Sequence, residues 1–191
     1  MRLGLLGGTF DPVHVGHLVA AAGARHALGL DRVLLVVANR PWQKEDRRPV
    51  TPAEDRFAMV AAAVEEADGL EACRLEIDRG GTSYTADTVA QLHVDDPHAE
   101  LFLIVGADVA AELDTWVRRE ELYPALTLAV VSRASVPTPA PAPPWRSVIV
   151  ETPRLEVSSS DLRRRVADGR PLDGLVPAAA LRQLRRRGLY A

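Results

Sequence analysis

Apolar positions along the chain fall into short continuous runs separated by segments of helical period. Leu3 to Leu6 reads as a first strand, and the alanine-rich segment Leu18 to Leu28 as a helix. Arg32 to Ala38 (RVLLVVA) is a β-branched run of strand length, the pattern of a parallel strand covered on both faces. Strand, helix and strand make a βαβ unit. Thr51, Pro52 and Glu54 match the N-cap, N1 and N3 positions of a capping box, opening a helix to about Ala67 with Phe57, Val60 and Val64 inward. The alternation from Leu70 to Ile77 predicts a strand, and Asp78 to Gly81 a turn. A short helix, Ala86 to His93, follows the hydroxyl-rich TSYT at 82–85. Glu100 to Val105, Leu126 to Val131 and Ser147 to Val150 read as further strands, and Trp116 falls in a short amphipathic segment ending near Tyr123. The proline-rich stretch from Ala134 to Trp145 excludes regular structure and predicts a semi-rigid surface excursion. VSSSDLR at 157–163 starts a helix ending near Gly169, and Pro177 to Arg187 is a last helix with Gly188 as its cap.

This alternation predicts an α/β fold: a Rossmann-like, doubly wound parallel sheet with a small C-terminal helical part. With 191 residues the chain fits one domain, 1–191, of which 157–191 form the C-terminal helical segment. A formal net charge of -3 argues against non-specific nucleic-acid binding. No apolar run reaches the roughly 18 residues of a membrane span, and the chain enters a strand without a basic-apolar leader, so a cytoplasmic protein is expected. The single cysteine, Cys73, excludes an internal disulfide and a cysteine-built metal site, and reads as a small buried hydrophobe. Among 23 basic residues only Lys44 is lysine.

Candidate chemistry concentrates in GGTFDPVHVGH at 7–17, between the first strand and the first helix. That geometry points backbone N–H groups at an anion, and a helix beginning near Val15 lets His14 and His17 project toward one point. A triphosphate there would meet N–H dipoles and two imidazoles. Ser158, Ser159 and Ser160, with Arg163 one turn later, form a second anion-type helix start; alone it would merely cap a helix. Lys44 follows the second strand, at the sheet edge where ligands bind in open α/β folds. GxxxxGK and GxGxxG are both absent, which excludes a P-loop and a dinucleotide redox fingerprint. No nucleophile has an obvious partner base, so direct in-line attack of a substrate phosphate on the ATP α-phosphorus fits best, with pyrophosphate leaving and Mg²⁺ arriving with ATP. A metal site built from His14, His17 and Asp11 is the weaker alternative, because two histidines lack a third neutral ligand and Asp11 before Pro12 suits a turn.

GGTFDPVHVGH is similar to the (H/T)xGH motif of the nucleotidyltransferase superfamily, and VSSSDLR resembles its ISSTxIR signature. With RPWQK, GGTSYTADT, LIVGAD, a following Trp and VVSR between them, the chain resembles the bacterial nicotinate-nucleotide adenylyltransferases over nearly its full length. The resemblance implies transfer of AMP from ATP to nicotinate mononucleotide in NAD biosynthesis. It implies that His14 and His17 bind the ATP phosphates with Lys44 facing them, and that Gly7, Gly8, Thr9 and Phe10 form the turn that approaches the nucleotide. Gly106 and Asp108 match the family's G(A/Q)D turn near the ribose, Arg133 its VVSR block, and the serines with Arg163 the clasp on adenylate and pyrophosphate. Tyr84 and Thr85 match the pair that holds the nicotinate carboxylate, and Trp116 the tryptophan that stacks on the pyridine ring. A helix N-terminus favours a carboxylate over a carboxamide, which agrees with an acid mononucleotide. The chain departs from the family at Gln43, where a histidine is common, and at Ala134 and Ser135, which replace Pro-Gly. Expected partners are ATP and nicotinate mononucleotide, with no nucleic acid and no membrane; a homo-oligomer is left open. A phosphopantetheine adenylyltransferase, which shares both phosphate signatures, and a non-catalytic nucleotide-binding module are the competing readings.

Overall fold

The computed structural model describes residues 1–41, 49–133, 139–153 and 155–191; the side chain of Arg133 is also outside the description. Six strands form one sheet: β1 (Arg2–Gly8), β2 (Arg32–Val37), β3 (Leu70–Cys73), β4 (Glu100–Gly106), β5 (Leu126–Arg133) and β6 (Ser147–Thr152). Their order is β3-β2-β1-β4-β5-β6. The β1/β4, β4/β5 and β5/β6 pairs are parallel. The order reverses at the β1–β4 pair, the switch point characteristic of Rossmann-like sheets.

Two compact units are delineated along the chain. The first comprises Met1–Gly7, Val19–Leu34 and Tyr84–Arg154. Leu3 and Leu5 of β1, Leu101 and Leu103 of β4, and Leu128 and Val130 of β5 are buried, as continuous apolar runs in a covered parallel sheet must be. Most of α1 (Val15–Leu28) belongs here, with α4 (Thr85–Asp95), α5 (Ala107–Ala110) and α6 (Arg119–Ala125). Between α5 and α6 runs a single 3-10 turn, Leu113–Thr115.

The second unit comprises Gly8–Leu18, Leu35–Ser83 and Leu155–Ala191. It holds α2 (Ala53–Val64), α3 (Leu75–Arg79), α7 (Ser159–Ala167) and α8 (Ala178–Arg186). Helix α2 packs on α8, burying Met59, Val60 and Ala63 on one side and Ala180, Leu181 and Leu184 on the other. An Arg187–Asp55 ion pair closes the edge of this contact.

Four local expectations fail here. The capping box does not form: α2 starts at Ala53 with Pro52 as N-cap and no side-chain cap, and Glu54 pairs with Arg74 instead. The inner face of α2 carries Arg56 rather than Phe57, which lies half-buried under the Arg74 guanidinium at 5.2 Å. The strand expected to reach Ile77 ends at Cys73, and Leu75–Arg79 is helical. An Arg74–Asp78 pair at i,i+4 spacing and the left-handed Gly80, whose N–H caps Glu76 and Ile77, favour a helical turn over the strand that the alternation predicts. Cys73 is only half-buried, and burial raises its thiol pKa. No helix among the described residues is long and apolar enough to cross a membrane.

Candidate active site

The loop after β1 carries Thr9, Phe10, Asp11, Val13 and His14, all buried. Phe10 holds a left-handed backbone (φ 49) and packs its ring edge-on against His17 at 4.9 Å. The side chains of Thr9 and Phe10 are thus part of the packed scaffold. His14 is the residue preceding α1, and His17 is its third helical residue. Their rings stack with centroids 3.7 Å apart. The His14 backbone N–H donates to His17 Nδ1 at 3.1 Å, the reciprocal half of a capping box with imidazole in place of the usual carboxylate. Because Nδ1 of His17 accepts, its ring proton sits on Nε2.

Burial lowers the His14 pKa to about 4, so that ring is neutral at pH 7. Its Nδ1 is shut off from solvent and has no hydrogen-bond partner among the described residues, which leaves Nε2 as the ring nitrogen open to a partner. Gly16 makes the stacking possible: a Cβ there would lie 3.0 Å from Val157 Cγ1 and 3.1 Å from His14 Nδ1. The N–H cradle is smaller than the sequence suggests. Val15 N donates to Leu175 O and His17 N to His14 O, so in the first turn Gly16 N–H is the group without a protein acceptor among the described residues.

Helix α7 is bonded directly to this loop. Ser159 Oγ donates to Pro12 O at 2.8 Å, and Arg163 Nη1 donates to Asp11 O at 2.6 Å. Arg163 Nη2 donates to Ser160 Oγ, while Ser158 Oγ accepts the Asp161 N–H as an N-cap. The three serines therefore divide into a cap, a brace and an arginine partner. The structure brings together His14, His17, the loop from Gly8, Ser158, Ser159, Ser160 and Arg163.

Arg56 holds the same loop from below. At 1% exposure it donates to Thr9 O, Asn39 O and Thr51 O, joining the β1 loop, the end of β2 and the approach to α2. The sequence does not single it out, because its three acceptors are backbone carbonyls that only the fold brings together. Asn39 N donates to Ser83 Oγ and Ser83 N to Arg40 O, so Ser83 is bound to the end of β2 rather than capping a helix.

In the other unit, Gly7 lies at the end of β1, and Tyr84 is the N-cap residue of α4 without a side-chain cap bond. Thr85 is the first helical residue, and its hydroxyl makes no hydrogen bond among the described residues. Gly106 precedes α5, and Asp108 is exposed in its first turn; a Cβ on Gly106 would sit 2.5 Å from Asp108 Oδ1. Trp116 is half-buried directly after the 3-10 turn. Arg118, in left-handed conformation, pairs with Glu121 and with Asp87 in the first turn of α4, tying the Trp116 segment to the helix that Thr85 opens. Lys44, with Trp42 and Gln43, lies outside the described residues, as do Ala134 and Ser135; Arg133 ends β5. Among the described residues no group of three His, Cys, Asp or Glu is gathered as a metal would need.

The cytidylyltransferase-like family profile matches residues 5–165. A Thermus thermophilus protein named "Probable nicotinate-nucleotide adenylyltransferase" is 44% identical over 191 residues, covering 100% of both chains. A Streptomyces coelicolor protein of the same name is 43% identical over 186 residues, 97% of this chain and 98% of its own. The fold matches Plasmodium falciparum nicotinic acid mononucleotide adenylyltransferase complexed with NaAD, at a TM-score of 0.81 and 15% identity over 99% of this chain and 97% of that one. With the profile and the full-length relatives in agreement, the chain belongs to the cytidylyltransferase-like family and, within it, to the nicotinate-nucleotide adenylyltransferases.

Proposed function

We propose that this protein joins the AMP moiety of ATP to nicotinate mononucleotide, forming nicotinate adenine dinucleotide and pyrophosphate in NAD biosynthesis. The observation that carries the reading is the stacked His14–His17 pair at the start of α1, on a loop whose Asp11 and Pro12 carbonyls accept hydrogen bonds from Arg163 and Ser159 of α7. ATP enters as its magnesium complex. A 5′-phosphate oxygen of the mononucleotide attacks the α-phosphorus, forming a new P–O bond. The bond from that phosphorus to the oxygen bridging to the β-phosphate breaks, and pyrophosphate leaves with the electron pair. Such a reaction needs alignment and charge neutralisation, and alignment alone is worth up to about 7–11 kcal/mol.

His17 donates from Nε2 to a phosphate oxygen, and neutral His14 binds through its own Nε2. Lys44 and Arg163 neutralise charge on the triphosphate and the departing pyrophosphate, while Gly7 to Phe10 and Ser158 to Ser160 contribute backbone N–H groups, with the hydroxyls of Ser158 and Ser160. Gly106, Asp108 and Arg133 contact the ATP side. Thr85, with the first N–H groups of α4 and Tyr84, takes the nicotinate carboxylate, and Trp116 stacks on the ring. A carboxylate gains from a helix N-terminus where a neutral amide does not, and a flat ring gains from an aromatic face.

The test is pyrophosphate release from MgATP with nicotinate mononucleotide, nicotinamide mononucleotide and phosphopantetheine in parallel. The acid mononucleotide is expected to be the preferred acceptor. Preference for phosphopantetheine would overturn the assignment, and absence of release with every acceptor would favour a nucleotide-binding module.

A further inference from the structure

Beyond α8 the chain turns back on itself, with Gly188 N donating to Arg185 O and Leu189 N to Leu184 O. This delivers Tyr190, half-buried and in left-handed conformation (φ 67), to the loop after β1. Its hydroxyl donates to Asp11 Oδ1 at 2.7 Å, a contact between residues 179 positions apart. Asp11 is 1% exposed, and a carboxylate so buried needs hydrogen-bond partners to stay in place. The Asp11 carbonyl meanwhile accepts Arg163, and that of Pro12 accepts Ser159. One dipeptide, just ahead of His14, therefore receives hydrogen bonds from both α7 and the segment after α8. Burial, reinforced by Asp11, holds the Tyr190 phenol above its ordinary pKa, so it remains a donor at working pH. A left-handed backbone is disfavoured for a tyrosine and is kept where its surroundings fix it.

We propose that Tyr190 is a positioning residue for adenylyl transfer: its hydroxyl fixes the Asp11 carboxylate and thereby sets the loop that presents His14 beside His17. This rests on the reading that the two histidines bind the triphosphate. Tyr190 itself touches no reacting atom; it acts through Asp11.

The test uses Tyr190→Phe in the full-length protein, which keeps the ring and deletes the hydroxyl. The expected result is a kcat lowered about tenfold, as for loss of one hydrogen bond to a buried charge, with KM for ATP and for nicotinate mononucleotide changed less than about twofold. In the same variant the imidazole Cε1–H NMR signals of His14 and His17 are expected to shift while those of His26, His93 and His98 stay. A lowered Tm with unchanged kcat and unchanged His14 and His17 signals would mean a merely structural contact and would overturn the proposal. His17→Ala, assayed alongside, separates the two levels of the argument. Loss of turnover in His17→Ala with wild-type turnover in Tyr190→Phe removes the positioning role alone, whereas wild-type turnover in His17→Ala removes the reading beneath it.

Discussion

Burial of His14 couples the candidate site to stability. The folded-state pKa, about 4, lies below the ordinary value of 6.5, so the unfolded chain binds the proton more readily. The stabilising effect of keeping His14 neutral is complete above pH 6.5 and is lost as the pH falls toward 4. Between pH 7 and pH 5 the loss attributable to His14 is about 2 kcal/mol. Urea unfolding at both pH values is expected to show the His14→Gln variant losing about that much less than wild type over the same interval; equal losses would contradict it. Both histidines were legible in the sequence because motif and spacing are local. Their stacking, the neutrality of one ring and the support from Phe10 were not, because they depend on a buried loop backbone. The same holds for the serines: a cap was legible at Ser158, but the acceptors of Ser159 and Arg163 lie some 150 positions away in sequence.

Among the elements, α4 and the segment carrying Trp116 are joined by Arg118, through Asp87 on one side and Glu121 on the other. These pairs are partly exposed, so they contribute little to global stability, yet they fix local geometry. Replacing Trp116 by Ala is expected to raise KM for nicotinate mononucleotide at least tenfold with KM for ATP nearly unchanged, the size of one lost ring stack. Arg118→Ala is expected to do the same to a smaller degree, several-fold, with Tm almost unmoved. Steady-state kinetics with each substrate varied checks both, and equal effects on the two substrates would contradict the division of labour. Element types were largely legible: the apolar runs became the β1, β2, β4, β5 and β6 strands within a few residues of their expected limits. The exceptions are informative. Leu75–Arg79 obeys a short-range ion pair and a glycine cap rather than its alternation, and Glu54 finds Arg74 instead of closing a capping box.

For the whole molecule, the doubly wound order was within reach of sequence reasoning because fully covered parallel strands leave continuous apolar runs, and short connections limit the topologies. Arg56 and Tyr190 were not legible. Each acts on the loop after β1 from a distant part of the chain, and neither has a distinctive local signature. The central claim is direct transfer of the adenylyl group from ATP to nicotinate mononucleotide. A rapid-quench experiment with ATP labelled at the α-phosphate, enzyme in excess, tests it most directly. The account predicts that label passes from ATP to nicotinate adenine dinucleotide in one phase with none on the protein. Label accumulating on the protein before product forms, or no labelled dinucleotide at all, would contradict it.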